Sequence, residues 1–485
     1  MAGRAQLGGS GLTPFEVWAS PEPTFARISA HETREQLAET GHEARDGDMD
    51  LLASLGVSAA RYPVLWEKCA PQRDALPDFT RARARLGALR RAGIEPVVTL
   101  LHHGSGPAYT SLIDPDFPEA LARYAGEVAR AFPWVRRWTP VNEPLTTARF
   151  STLYGTWYPN LRDDRAFGHA IVHEALGILL AMEAIRAEVP GAQHVLTEDL
   201  QSFTPLDAEP LTLATVAHQR ERTFLSVELL MGRIVAGHPM HAYLTETCGV
   251  ASALLERVAR HAAAPDLLGW NYYPNSERVF SSVPGSVDGG ISDIPRVVHA
   301  PGSISPEPLL RAAHARLGLP FGLSEVHVNA NERGRVRWLA QRRDDLLRLV
   351  ADGLPVRMLG AWAAFGLIDW DSLLMRREGY SEDGIFTFAP PGKAPNETAL
   401  SAGVRALAAG QGFDVPEELG WWETSGVPEA RPATLETQAT TMIESEPSTT
   451  LESERSTTLE SGHSTTLESA PCAGLGSTVI LGRRQ

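Results

Sequence analysis

Eight short runs of β-branched and aliphatic residues recur along the first 427 residues, alternating with stretches of helical periodicity. The runs are Phe15–Trp18, Val57–Tyr62, Glu95–Leu101, Val135–Val141, Gln193–Thr197, Leu267–Asn271, Phe321–Ser324 and Met358–Trp362. Helical patterns cover Arg34–Leu55, Phe79–Ala92, Phe117–Phe132 and Ala166–Val189. Parallel strands need a crossover between them, usually a helix, so this alternation favours a parallel sheet. In Arg91-Ala92-Gly93-Ile94 a glycine ends the helix and a strand follows at once. Eight strands each followed by helix predict an α/β fold: a single (β/α)8 TIM barrel over about residues 13–427, after a flexible N-terminus at 1–12.

The remaining segment has another character. All 35 aromatic residues of the chain lie before Pro428, and 19 of the last 58 residues are Ser or Thr. An eight-residue unit repeats there: STTLESER from Ser448, STTLESGH from Ser456 and STTLESAP from Ser464. One Leu per unit buries too little to offset the entropy of ordering, so residues 428–485 are expected to be a disordered Ser/Thr/Glu-rich tail. Gly474-Leu475-Gly476 has too few residues after it for the βαβ unit of a nucleotide loop.

Charge and cysteine content narrow the function. The formal net charge of −15 argues against nucleic acid as the partner. Cys69, Cys248 and Cys472 give neither a paired disulfide framework nor a CxxC motif. The first residues lack a signal-peptide core, and no segment nears the ~20 apolar residues a bilayer requires. A cytoplasmic protein with no membrane partner is the expectation.

In a barrel of this kind, chemistry collects at the C-terminal ends of the strands. Those positions hold His102 and His103, then Asn142 and Glu143, then Asn271, Tyr272 and Tyr273, then Glu325, then Trp362. Two carboxylates on opposite strands, ringed by Asn, His, Tyr and Trp, suit glycoside hydrolysis, in which one group protonates the leaving oxygen and the other serves the anomeric carbon. Their surroundings must push their proton affinities apart. Tyr273 is placed to hold Glu325 ionised, and Asn142 to bind the hydroxyl beside the anomeric carbon.

Seven ordered segments resemble glycoside hydrolase family 1, the β-glucosidase family. They are Arg61-Tyr62-Pro63-Val64-Leu65-Trp66, Gly93 through His102, Trp138-Thr139-Pro140-Val141-Asn142-Glu143-Pro144, Gly269-Trp270-Asn271-Tyr272-Tyr273, Ser324-Glu325, the Trp362 strand, and Gly379 through Ile385. The likeness runs from about residue 13 to 415. It implies a retaining β-glycosidase with Glu143 as acid/base and Glu325 as nucleophile. It further implies substrate or support roles for Arg61, His102, Asn142, Asn271, Tyr273 and Trp362. Asp369 and Trp370 fall where the family reads the far hydroxyls of the sugar. No metal and no organic cofactor are implied, and the partner is a small-molecule or oligosaccharide β-glycoside.

The sequence also departs from the family. Ser324-Glu325-Val326-His327 replaces Thr-Glu-Asn-Gly, and His102-His103 replaces His-Trp. The Gln expected after the first strand has no clear counterpart, with Glu22 the nearest residue. These departures resemble a divergent bacterial branch in which the barrel is joined to a domain like dTDP-4-dehydrorhamnose reductase. That resemblance implies a sugar-nucleotide reductase partner, with this chain as the barrel half. The alternative function is a catalytically weak or inactive sugar-binding or scaffold module in deoxysugar or polysaccharide metabolism.

Four other signals carry less. Adjacent His102 and His103 are expected on opposite faces of a strand, one inward for sugar, and so unable to share an ion. His169 and His173 share a helix face but lack the Glu spacing of a zinc-protease helix. His103-Gly104-Ser105-Gly106 is not a GxSxG elbow. Trp421-Trp422 is read as an aromatic plug over the barrel.

Overall fold

The computed structural model describes residues 14–73, 75–283 and 304–424. Eight strands in it form one closed parallel barrel. They are β1 (Glu16–Ala19), β2 (Ala59–Pro63), β3 (Glu95–His102), β4 (Arg137–Asn142), β5 (Gln193–Asp199), β6 (Leu267–Tyr272), β7 (Phe321–Val326) and β8 (Val356–Ala361). Each coincides with one of the eight sequence runs, shifted by no more than a few residues. Consecutive strands are neighbours, and β1 closes the circle by pairing Glu16 through Ala19 with Met358 through Ala361 on β8 and Trp18 with Ala59 on β2. The pleat sends alternate side chains inward, where Trp18, Ala59, Val97, Val195 and Met358 pack into a small interior cluster. A larger apolar core lies between the barrel and its helices.

Local chemistry explains the elements. The helix Thr80–Arg91 ends before Gly93, whose φ of 74° is the left-handed value that favours glycine. β3 begins two residues later. Close packing of β7 on β8 also needs a glycine. A Cβ on Gly360 would lie 2.2 Å from the Ser324 carbonyl oxygen. The strand leading to Trp362 thus runs directly against the one carrying Glu325. Register shifts interrupt the β6–β7 pairing between Leu323 and Glu325, and the β4–β5 pairing between Trp138 and Asn142. Such irregularities re-aim side chains and terminate pairing at the barrel rim.

One expectation of the helix pattern needs correction. The Arg34–Leu55 helix is instead a short strand (Thr33–Glu35), a single turn (Gln36–Glu39) and a helix (Asp48–Ser54). Gly41, at a φ of 76°, breaks the helical path. Trp422 packs on Trp338 of the helix Glu332–Ala351 with ring centroids 5.1 Å apart, and donates to Gln341 at 2.9 Å. Trp421 Nε1 donates to the Asn329 carbonyl at 2.8 Å, in the loop that follows β7, so the Trp pair ties that loop to the helix. Among the described residues no helix is long and apolar enough to cross a membrane. The tail and its repeat, with residues 1–13, lie outside the described residues.

Candidate active site

Glu143 follows the last residue of β4 in a left-handed conformation, with φ 46° and ψ 62°. That conformation is unusual for a residue with a side chain and persists only where neighbours over-determine it. Here the Glu143 N–H donates to the Thr197 carbonyl on β5 at 3.0 Å, and Thr147 N donates back to the Glu143 carbonyl at 2.8 Å. Leu145 N, in the same turn, donates to the buried Glu198 carboxyl at 2.9 Å. The sharp turn is thereby clamped to β5. On the side chain, Asn271 Nδ2 donates to Oε1 at 2.6 Å. Burial raises the Glu143 carboxyl well above the ordinary range, and the charges of Glu325, Asp199 and Glu198 add to it.

Glu325 is differently equipped. Arg61 Nη1, from β2, donates to its Oε1 at 2.5 Å, and the Tyr273 hydroxyl donates to Oε2. The second Arg61 terminal nitrogen donates to Asn142 Oδ1, which also accepts from Thr197 Oγ1 at 2.7 Å. Asn271 ties the two halves together: its amide binds Glu143, while its oxygen accepts from Ser324 Oγ at 2.5 Å. Burial and the Glu325 charge push the Tyr273 phenol well upward, so it stays a proton donor. Five strands contribute to this connected network.

Both histidines turn toward the site, against the sequence expectation. His103 has left β3 and adopts a φ of 58°, which swings its ring to a centroid distance of 4.7 Å from that of His102. Alternation holds only within a strand, and the left-handed residue ends it. Asn142 Nδ2 lies 3.1 Å from His102 Nε2 and 3.4 Å from His103 Nε2. An amide nitrogen only donates, so His102 Nε2 accepts and its Nδ1 carries the proton. Burial holds His102 well below the usual imidazole range and His103 down to about 3, so both rings are neutral. Among the described residues, no three His, Cys, Asp or Glu side chains are grouped to hold a metal ion. His173 is occupied by the Leu112 carbonyl at 2.9 Å.

Trp362 lies parallel to His102 with centroids 6.0 Å apart, and Arg61 sits 4.9 Å above its ring. Its Nε1 donates to Glu22 at 3.1 Å. Trp370 approaches His103 at 5.8 Å and Trp157 at 6.3 Å, completing an aromatic side wall. Asp369 is held from behind: Arg34 Nη2 donates to Oδ2 and Tyr380 N to Oδ1, both at 2.8 Å. At this site two buried donors, His102 Nδ1 and Trp370 Nε1, have no hydrogen-bond partner among the described residues. Buried polar atoms are seldom left unpaired, so these are natural contacts for a polar ligand.

All ten residues singled out from sequence therefore lie at the C-terminal ends of barrel strands or in the loop after β8. Sequence reasoning missed Arg34, Thr197, Ser324 and Trp157. Thr197, near the end of β5, was within reach of the strand-end rule. Arg34 was hidden in the run read as a helix.

The profile of glycosyl hydrolase family 1 matches residues 9–283. The chain belongs to this family. Beta-glucosidase A of Thermotoga maritima is 23% identical over 417 residues, covering 78% of this chain and 88% of that protein. A rice protein named probable inactive beta-glucosidase 14 is 26% identical over 170 residues, covering 33% of this chain and 32% of its own length. The chain thus spans about a third of that relative. The solved structure of the Thermotoga maritima beta-glucosidase in complex with glucoimidazole superposes with a TM-score of 0.68 at 16% identity, covering 84% of this chain and 99% of that one. At such identity the likeness speaks for the (β/α)8 fold.

Proposed function

We propose that this family 1 protein is a retaining β-glycosidase acting through Glu143 and Glu325. The observation that carries the reading is the contrast between the two carboxyl environments. Glu325 receives a guanidinium and a phenol hydroxyl on its two oxygens. Glu143 receives one neutral amide and is raised by burial and by three other carboxyls. A group kept protonated beside one supplied with donors is the division of labour that double displacement requires.

In the first step a Glu325 oxygen bonds to the anomeric carbon as the glycosidic C–O bond breaks. The departing oxygen takes the Glu143 proton. In the second, water gives a proton to Glu143 while its oxygen bonds to the anomeric carbon, releasing Glu325. Asn142 and His102 are the proposed hydroxyl contacts near the reacting carbon, with Trp362 and Trp370 as apolar walls. Asp369 is proposed to read the far hydroxyls with oxygens aligned by Arg34 and Tyr380. The chemistry asks for no metal and no organic cofactor.

The sugar-binding or scaffold reading is favoured by the altered Val326-His327 loop. There His327 bonds the Trp362 carbonyl and Glu382, each at 3.1 Å. A cytoplasmic setting and a sugar-nucleotide reductase partner rest on the sequence alone. Aryl β-glycosides are the test, with Glu143→Ala and Glu325→Ala beside the wild type. Turnover abolished in both variants is expected. Turnover that survives both overturns the assignment, and sugar binding with no turnover favours the binding module.

A further inference from the structure

Glu22 follows β1 at the barrel mouth and is 5% exposed. Thr24 donates to its Oε1 from N at 2.9 Å and from Oγ1 at 2.5 Å, and Trp362 Nε1 donates to Oε2 at 3.1 Å. Its other near neighbour, His102 Nε2 at 3.5 Å, belongs to a neutral ring. Among the described residues no cation is bonded to it, since both terminal nitrogens of Arg61 go to Glu325 and Asn142. Burial and the Glu325 charge push the Glu22 carboxyl up to about 7.

The charge balance around it is uneven. Elsewhere at the mouth, Asp369 pairs with Arg34 at 2.8 Å, a guanidinium that Glu39 shares at 2.6 Å, and Asp199 faces Arg278 at 3.6 Å. Glu22, Glu143 and Glu325, however, share one guanidinium. An uncompensated buried charge is costly, so the group neutralises itself or waits for a cation. A sugar hydroxyl brings a neutral donor, whereas an ammonium brings a charge-assisted one about twice as strong. Oε2 has a lone pair beyond the one taken by Trp362, and the carboxylate offers no donor of its own.

We propose that Glu22 selects a β-glycoside whose terminal sugar carries a protonated amino group in place of one hydroxyl, the ammonium bonding to the Glu22 carboxylate. The proposal rests on reading this cleft as a sugar site. Titration calorimetry with methyl β-D-glucoside and its 2-, 3-, 4- and 6-amino-deoxy analogues tests it on wild type and Glu22→Gln, each checked by thermal melting. One amino glycoside is expected to bind wild type at least about tenfold tighter than the parent. Glu22→Gln, which keeps the size and one of the two acceptor oxygens but loses the charge, is expected to bring that preference within about twofold.

A parent that binds as well as every analogue overturns the proposal. So does a preference that survives Glu22→Gln, which would place the ammonium on Glu143 or Glu325. Turnover of the matching aryl glycosides is read separately. Glu22-dependent binding without turnover overturns the hydrolase reading and leaves the amino-sugar selectivity standing. Turnover without an amino preference does the reverse, and failure of every glycoside to bind overturns both.

Discussion

Replacing Glu198 by Gln should make the protein more stable at pH 8 and change it little at pH 5. Glu198 is 1% exposed on β5, and its Oε2 accepts from Leu145 N at 2.9 Å and Ser226 Oγ at 2.8 Å. Burial, foremost, pushes its carboxyl from 4.5 up to about 7. A carboxyl raised in the folded state binds more protons there than in the unfolded chain. Its contribution is therefore complete below pH 4.5 and is lost as pH climbs through about 7. A shift of that size at 1.36 kcal/mol per pH unit corresponds to about 3 kcal/mol at most. The Glu198→Gln variant keeps an acceptor for Leu145 and Ser226, exchanges the Oε1 that accepts from Asp199 N at 3.2 Å for an amide nitrogen, and has no charge to desolvate. Denaturant midpoints of both proteins at pH 5 and pH 8 check this. The stability difference, variant minus wild type, is expected to grow in favour of the variant by about 1–3 kcal/mol between the two pH values. Glu22 and Glu67, also raised to about 7, tilt both proteins alike and cancel in the comparison. A difference independent of pH would refute the claim that Glu198 is a strained buried acid.

Three further outcomes follow from the site. Tyr273→Phe removes the hydroxyl donor to Glu325 at constant shape, and should lower kcat/KM by about 1.5–3 kcal/mol, roughly ten- to 150-fold, in steady-state assays. Because Glu143 must be protonated to act as acid and its carboxyl is raised, the basic limb of kcat/KM against pH should lie well above the ordinary carboxylate range, activity falling as pH rises through it. Gly360→Ala puts a methyl 2.2 Å from the Ser324 carbonyl, a backbone atom with little room to move, and should cost about 1–3 kcal/mol or more in denaturant melts while displacing Trp362 and Glu325.

How much of this was legible beforehand differs between the fold and the site. Each strand run was readable because period, β-branching and a glycine cap such as Gly93 act over a few neighbouring residues. The helix pattern over Arg34–Leu55 misled because periodicity alone ignores Gly41, whose positive φ divides the segment. Glu143 and Glu325 could be named because the strand-end rule and the motif around each are both local. His103 could not be oriented, since its φ of 58° lies beyond the reach of strand alternation.

The sequence by itself determined the architecture and the order of the chemistry-bearing positions along it. Steric preference and apolar period set those within each strand–helix unit. Only tertiary structure decided which side chains meet. Barrel closure brings Glu22 to Trp362 across 340 positions of chain, Arg34 to Asp369 across 335, and Arg61 to Glu325 across 264. It also decided the proton affinities, because desolvation is a property of the packed mouth. Glu143 and Glu22 are ordinary acids in the unfolded chain, and burial near like charges makes them reluctant ones.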